Sequence, residues 1–209
     1  RNPVLIPDLR AERSFPVVIR TVVLTDHSLG IHPKGGTAAC WATSRISSPR
    51  PRGPGVLTAK HIVAKRRIGA TVLFRNGAYG RVLDLGPEGI DAALISSPES
   101  PGVSPLSVER YVAPWTDVRF DGAPGCSHRT KVTAITDTLG ILGSSALPAR
   151  VVLAAGGDPG DSGSLVTDVS TGRAVGIYMG GYCDPAGRPG GIAQHAAQVT
   201  EIMDMEVRI

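Results

Sequence analysis

The chain has 209 residues and a formal net charge of +4, and its 42% hydrophobic and 19% charged residues are a balance typical of globular proteins. Its lysines and arginines are scattered and only 4% of its residues are aromatic, so we expect no nucleic-acid partner. No apolar run approaches the roughly 20 residues that span a bilayer, so we expect no membrane partner either.

Short β-type runs separated by glycine- and proline-rich turns dominate the chain. In chain order the predicted strands are Phe15–Leu24, Gly36–Ser44, Gly55–Thr58, Ala70–Phe74, Tyr79–Leu85, Ala92–Ser96, Val118–Phe120, Lys131–Ile135, Arg150–Leu153, Ser164–Asp168, Ala174–Tyr178 and Gly191–Gln194. So many short strands predict an all-β protein built as a pair of barrels or sandwiches.

The C-terminal tail is the exception to this pattern. From Ala196 to Met205 it has helical periodicity, with Val199, Ile202 and Met203 on one face. The proline-rich stretch Ser97–Pro105 is the best candidate for a linker between halves of similar size. We therefore predict an N-terminal domain of residues 1–100 and a C-terminal domain of residues 101–209.

Three cysteines, Cys40, Cys126 and Cys183, cannot all pair with one another, and none has a C-x-x-C spacing. One disulfide could form, but nothing in the sequence requires it. This count favours a reducing compartment, so we expect a cytoplasmic location, with secretion left open.

One histidine stands at the end of a predicted strand. His61 comes just after Gly55–Thr58, whereas His27, His32 and His128 lie in turn-like segments and His195 follows a late strand. A side chain held at a strand end can be placed beside a reacting group. His61 is therefore the candidate general base.

A general base needs a carboxylate that fixes its tautomer. Asp91 directly precedes the apolar stretch Ala92–Ile95, and a buried carboxylate there needs a partner because an unpaired buried charge is expensive. Asp84 is the alternative, but it lies in an alternating polar and apolar run that lets it face solvent. We favour Asp91.

A serine with a glycine-rich setting follows in the second half. Ser162 lies in Gly160-Asp161-Ser162-Gly163, after a Pro-Gly turn and before a predicted strand. Gly160 can adopt backbone angles closed to other residues, so the amides of Gly160 and Ser162 can turn toward one point as an oxyanion hole. Ser162 is the candidate nucleophile. The alternative is a polar hairpin turn, because such strings occur by chance in glycine-rich chains.

These segments and their order resemble the chymotrypsin-like (trypsin-fold) serine peptidases, in their compact bacterial form. The segments similar to that family's histidine, aspartate and serine motifs are Thr58-Ala59-Lys60-His61, Asp91-Ala92-Ala93-Leu94-Ile95 and Gly160-Asp161-Ser162-Gly163. The resemblance implies two packed six-stranded antiparallel β-barrels with a short C-terminal helix, the first barrel carrying His61 and Asp91 and the second Ser162. It also implies an endopeptidase that forms an acyl-enzyme with protein or peptide substrates and needs no metal or organic cofactor.

Several positions depart from the animal members of that family. Ile62 and Asp158 stand where those members usually have cysteines, and the N-terminus shows no activation sequence of the Ile-Val-Gly-Gly kind. The salt bridge that the family makes to the residue before the serine, here Asp161, would then need another partner. Whether that partner is an arginine is left open.

The resemblance also places a specificity pocket. Its floor falls on Gly156, where no carboxylate is present, and its mouth on Gly180 and Gly181. Small residues there would leave the pocket mouth open, which implies an apolar or small side chain before the cut. Asp158 reaching into a rearranged pocket is the alternative.

Two other functions compete with a peptidase. One is a catalytically silent binding module with the same fold, and the other is a basic nucleic-acid or regulatory partner protein with an incidental triad. A regulatory protein partner that switches the enzyme on is also compatible with the sequence.

Overall fold

A computed structural model describes residues 4–5, 9–10, 18–19, 22–24, 38–45, 53–63, 67–74, 79–97, 104–122, 126–136, 150–184 and 186–208. Its strands are β1 Val4–Leu5, β2 Leu9–Arg10, β3 Val18–Ile19, β4 Val22–Leu24, β5 Ala38–Ser44, β6 Gly55–Thr58, β7 Thr71–Phe74, β8 Tyr79–Leu85, β9 Ala93–Ser96, β10 Asp117–Asp121, β11 Ser127–Thr136, β12 Arg150–Leu153, β13 Leu165–Asp168, β14 Ala174–Cys183, β15 Pro189–His195 and β16 Met205–Arg208. A 3₁₀ turn covers Lys60–Val63, and the helix α1 covers Ala196–Ile202.

The N-terminal half forms one antiparallel sheet in the order β1-β4-β7-β8-β9-β6-β5-β16. Alternating residues on strands such as Tyr79–Leu85 bury one face, as a half-buried strand requires. The buried side of this sheet holds a cluster that includes Trp41, Val56, Val72 and Ile95. β2 and β3 form a separate two-stranded sheet.

The C-terminal half closes into a six-stranded antiparallel barrel in the order β10-β11-β12-β15-β14-β13. Its interior holds Val118, Phe120, Leu153, Val166 and Tyr178, all essentially without solvent exposure. The predicted all-β class is confirmed: the described chain is mostly β-strand, with antiparallel sheets and a short C-terminal helix, and the second of the two predicted barrels closes with six strands.

A third buried cluster contains residues of both units. Leu57 and Leu94 of the N-terminal sheet pack in it with Ile177 of the barrel and with Val199 of the helix. This shared core fixes one unit against the other, so side chains from both can meet at one site. Whether residues 1–100 and 101–209 are separate domains stays a prediction, and residues 98–103 of the predicted linker lie outside the described residues.

The predicted C-terminal helix is shorter than expected. It ends at Ile202, and Asp204 takes a left-handed backbone (φ 51°) that turns the chain into β16, which pairs with β5. Val199 and Met203 are buried, but Ile202 is 49% exposed, so the prediction of Ile202 on the buried face is wrong. No helix in the described part of the chain has the length and apolar character that crossing a membrane requires.

Candidate active site

The pairing of β6 with β9 brings His61 and Asp91 together. The two strands run antiparallel with Thr58 opposite Ala93, so the residues after β6 lie beside the residues before β9. The carboxylate of Asp91 accepts two hydrogen bonds from His61, one from the backbone N–H at 2.8 Å and one from Nδ1 at 2.6 Å. The structure thus brings these two sequence-predicted residues into direct contact.

The carboxyl of Asp91 stays ionised beside the imidazole. Burial raises its pKa, but the hydrogen bonds and charge of His61, with a smaller effect from Lys60, outweigh burial and leave the pKa below its ordinary 3.8. Lys60 is itself held by the carbonyls of Gly86 and Pro87, at 2.8 and 3.1 Å. This contact ties the 3₁₀ turn that carries His61 to the loop that leads to Asp91.

Two barrel residues that the sequence did not single out contact the Asp91 loop. Gln194 on β15 accepts the backbone N–H of Asp91 at 3.2 Å and Nη1 of Arg150 at 2.6 Å. Arg150 on β12 also donates Nη2 to the carbonyl of Gly89 at 2.7 Å. Because Arg150 and Gln194 are register partners across β12 and β15, the barrel presents them as one unit to the other half of the molecule.

The turn that carries Ser162 has the backbone that its glycines predict. Gly160 and Gly163 have φ values of 108° and 96°, a region that residues with a Cβ rarely adopt. The amide of Gly163 donates to the carbonyl of Tyr178 at 2.7 Å, and the amide of Tyr178 donates to the carbonyl of Ser164 at 2.8 Å. This short ladder fixes the serine turn beside β14.

The hydroxyl of Ser162 is turned toward its own barrel. It donates to the carbonyl of Met179 at 2.9 Å. Among the residues that the structure describes, it makes no hydrogen bond with His61, and Nε2 of His61 has no partner. The structure thus joins His61 to Asp91 directly, while it places Ser162 in the predicted turn with its hydroxyl bonded elsewhere.

Asp161 has a histidine as its partner. Its carboxylate is fully buried and lies 2.9 Å from Nε2 of His128, an ion-pair distance without hydrogen-bond alignment, and it accepts the amide of Asp158 at 2.6 Å. Gly122 and Gly157 pack so closely on this carboxylate that a methyl group at either would overlap it. His128 lies on strand β11, so its assignment to a turn-like segment is wrong.

His128, Asp158 and Asp161 also form a group that could face a metal ion. Their ligand atoms all lie within 4.8 Å of one another. However, the same oxygen of Asp161 already contacts His128 and the amide of Asp158, and Asp158 is exposed. The contacts present therefore place His128 and the amide of Asp158 against the carboxylate of Asp161, in the turn before Ser162.

Two of the three predicted pocket residues lie near one aromatic ring. Gly156 and Gly181 approach the hydroxyl of Tyr178, whereas Gly180, the neighbour of Gly181 on β14, faces open space. Burial raises the pKa of Tyr178, and the charges of Asp161 and Asp158 raise it further, against a lowering by the amide of Gly157. The phenol is therefore neutral at physiological pH.

All three cysteines are free thiols, so the disulfide that the sequence allowed is not formed. Burial raises the pKa of Cys40 to about 12, which removes it as a nucleophile near neutral pH.

Solved structures share this architecture. The protease NAPase from Nocardiopsis aligns with a TM-score of 0.59 and 17% identity over 85% of this chain and 99% of its own. A glutamic acid specific serine protease that uses a histidine triad in substrate binding aligns with a TM-score of 0.61 and 18% identity, over 82% of this chain and 92% of its own. The chain has the trypsin fold.

Thermobifida fusca protease A has the same fold, with a TM-score of 0.53 and 16% identity over 83% of this chain and 91% of its own. Neither a protein-family model nor a curated protein sequence gives a significant match to the chain. At these identities the likeness defines the trypsin fold alone, so the chemistry of this chain has to be argued from its own residues.

Proposed function

We propose that this protein is a serine endopeptidase that hydrolyses peptide bonds of protein or peptide substrates. The observation that carries the proposal is the contact of His61 with Asp91, in which Nδ1 lies 2.6 Å from the carboxylate. With Nδ1–H donated to Asp91, the neutral ring has its lone pair on Nε2, the tautomer that a general base needs. The structural neighbours are serine proteases, which supports the same chemistry.

In the first step Nε2 of His61 takes the proton of Ser162 while Oγ attacks the scissile carbonyl carbon. The carbonyl oxygen becomes an oxyanion that the amides of Gly160 and Ser162 stabilise by hydrogen bonds. The imidazolium is stabilised by the ionised carboxylate of Asp91. When the tetrahedral intermediate collapses, the C–N bond breaks, His61 gives its proton to the leaving amine, and Ser162 carries the acyl group as an ester.

In the second step a water molecule attacks the ester carbon and gives a proton to Nε2 of His61. The bond between Oγ and the acyl carbon then breaks, the proton passes to Oγ, and the carboxylic acid product leaves. The first step needs a rotation of the free Ser162 hydroxyl from the carbonyl of Met179, its present acceptor at 2.9 Å, toward His61. Such a turn about one side-chain torsion is a rotamer change, which is fast compared with turnover.

A second candidate function rests on that same hydrogen bond. If Ser162 stays bonded to Met179 when substrate is bound, the chain is a catalytically silent binding module of the trypsin fold. The left-handed backbone of Gly160 and Gly163 favours the peptidase, because it permits the amides of Gly160 and Ser162 to turn toward one point, which a binding module does not need.

Covalent labelling with a small fluorophosphonate tests the proposal. The reagent phosphonylates a serine hydroxyl that a neighbouring base activates, so we expect a stable adduct on Ser162, located by peptide mass spectrometry. Cleavage of casein or of a peptide library should disappear in Ser162→Ala.

The matched control is Ser170→Ala, which removes an exposed serine hydroxyl that bonds Asp168 in the same barrel. This variant should be labelled and should cleave at the wild-type rate. Folded wild-type protein that takes up no label and cleaves no member of the library would favour the silent binding module.

A further inference from the structure

The predicted specificity pocket contains a side chain of this protein, a conclusion that rests on the proposed peptidase function. Gly156 stands at the predicted floor and Gly181 at the predicted mouth. A methyl group built on Gly156 would lie 3.2 Å from the hydroxyl oxygen of Tyr178, and one built on Gly181 would lie 4.0 Å from the same atom. The tip of the tyrosine therefore lies between floor and mouth.

Strand β15 brings the opposite wall against the same ring. Gly191 pairs with Gly181 across β14 and β15, and a methyl group built on Gly191 would lie 3.0 Å from Cε2 of Tyr178. A methyl group on Gly156 would lie 2.8 Å from the carbonyl oxygen of Gly190. These distances are shorter than normal carbon contacts. The ring of Tyr178 and the neighbouring backbone therefore leave no room for a side chain at Gly156 or Gly191.

The ring of Tyr178 is held at its hydroxyl and on its face. Its hydroxyl oxygen accepts the amide of Gly157 at 2.7 Å, and its face stacks on Phe120 with centroids 4.5 Å apart and planes inclined by 15°. Tyr178 is only 1% exposed. If the ring swung away to admit a substrate side chain, the part-buried amide of Gly157 would lose its partner and the stacking on Phe120 would be lost.

We propose that Tyr178 closes the specificity pocket at its base, so that the enzyme accepts glycine, alanine or serine before the cut and excludes long aliphatic, aromatic and charged side chains. The sequence left apolar and small residues as alternatives, and Tyr178 selects the small ones. Gly180 and Gly181 leave the mouth of the pocket open for the substrate backbone. The ring of Tyr178 occupies the base of the pocket.

The test is a peptide library varied only at the residue before the cut, measured with wild type, Tyr178→Ala, Tyr178→Leu and Tyr178→Phe. For the wild type we expect kcat/KM with alanine to exceed that with phenylalanine by at least about 100-fold. Tyr178→Ala should raise the phenylalanine-to-alanine ratio by about 100-fold, and Tyr178→Leu should raise the leucine-to-alanine ratio by about 10-fold. Tyr178→Phe keeps the ring but removes the hydroxyl that bonds the amide of Gly157, so its profile should lie between those of wild type and Tyr178→Leu. Tyr111→Phe, at a tyrosine that is 90% exposed, is the matched control and should keep the wild-type order.

Labelling of each variant with a small fluorophosphonate separates this proposal from the peptidase function, because the reagent does not need a deep pocket. Wild type that is labelled at Ser162 but cleaves best after phenylalanine, leucine or arginine overturns the role of Tyr178 alone. Labelled Tyr178→Leu with an unchanged profile does the same. Unlabelled wild type overturns the peptidase function, and the role of Tyr178 with it. If Tyr178→Ala does not fold, the wild-type and Tyr178→Leu profiles decide.

Discussion

The His61–Asp91 pair and the Ser162 turn lie on different units of the fold, and they are held in different ways. Asp91 bonds both the backbone and the ring of His61, at 2.8 and 2.6 Å, so the base has one orientation. Among the described residues, Ser162 makes one side-chain hydrogen bond, to a carbonyl of its own barrel. In the proposed mechanism the N-terminal sheet therefore supplies a fixed base and the barrel an adjustable nucleophile. A core with residues from both units holds one unit against the other.

The largest expected effect on activity comes from a substitution in the His61–Asp91 pair. In Asp91→Asn the amide can present an N–H to Nδ1, which favours the wrong imidazole tautomer, and we expect kcat to fall by about 10⁴-fold. The measurement is steady-state hydrolysis of a peptide substrate, with circular dichroism to verify that the variant is folded.

The matched control for this variant is Asp84→Asn, which removes the carboxylate that competed with Asp91 in the sequence. Asp84 lies on β8 opposite Leu94, in the middle of the sheet's ladder. Replacement of the Asp84 carboxylate by an amide should leave kcat within a few-fold of wild type. Equal losses in the two variants would contradict the assignment of the base-orienting role to Asp91.

The second prediction concerns the Ser162 turn and tests the contact of His128 with Asp161. His128→Ala removes one partner of the fully buried Asp161 carboxylate, whose oxygen also accepts the amide of Asp158. Loss of this contact loosens the turn before Ser162, and loss of an ordered oxyanion hole should lower kcat by about 10²–10³-fold with little change in KM. Stopped-flow acylation and substrate titration measure the two constants separately.

His128→Gln serves as the graded comparison for that experiment. Its amide N–H keeps a donor near Asp161 without a full charge, so its kcat should lie between those of wild type and His128→Ala. If His128→Ala acylates at the wild-type rate, the ion pair with Asp161 is not what orders the serine turn.

A smaller effect on kcat is expected from the contacts that join the barrel to the Asp91 loop. Arg150 and Gln194 bond the backbone of the Asp91 loop from the barrel side, at Gly89 and Asp91. Arg150→Met keeps the aliphatic stem and removes both donors, and a small displacement of Asp91 would lower kcat by up to about 100-fold. Arg173→Met, which removes an exposed arginine paired with Glu109, is the control and should be silent in the same kinetic assay.

The sequence predicted the strands best where a local pattern marks them. β6, β8 and β12 have the predicted bounds, because their alternation or apolar character is a local property. The short strands β1, β2 and β16 were missed. β16 is a strand only because it pairs with β5, about 160 residues away in the chain, and no local pattern reports such a partner.

The same distinction applies to the site. His61, Asp91 and Ser162 could be found because each stands in a short motif. His128, Arg150 and Tyr178 could not, since their roles come from contacts across strands: His128 with Asp161, Arg150 with Gly89, Tyr178 with Gly157. The one available signal was Asp161, which needed a partner that the sequence did not name. His128, which the sequence placed in a turn-like segment, was a candidate that could have been considered.

The smallest expected effect is on stability: the free energy of unfolding should depend on pH through one residue of each unit, His195 and Asp91. Burial lowers the pKa of His195 below its ordinary 6.5, against a raising effect of Glu109 and Glu201. The unfolded chain therefore takes up a proton that the folded barrel resists, so the free energy of unfolding falls as the pH drops below 6.5. Asp91 has a lowered pKa, so its stabilising contribution is lost only below about pH 4.

Urea unfolding at a series of pH values from 8 to 3 separates these contributions. One proton gives a slope of at most about 1.4 kcal/mol per pH unit. His195→Asn should flatten the wild-type curve between pH 6.5 and 5 and leave its fall below pH 4, since asparagine is neutral and also suits the N-terminus of α1. Asp91→Asn should do the reverse. If the slope between pH 6.5 and 5 is the same with and without His195, the proton is taken up by another group, and burial at the start of α1 has no part in the acid sensitivity of the barrel.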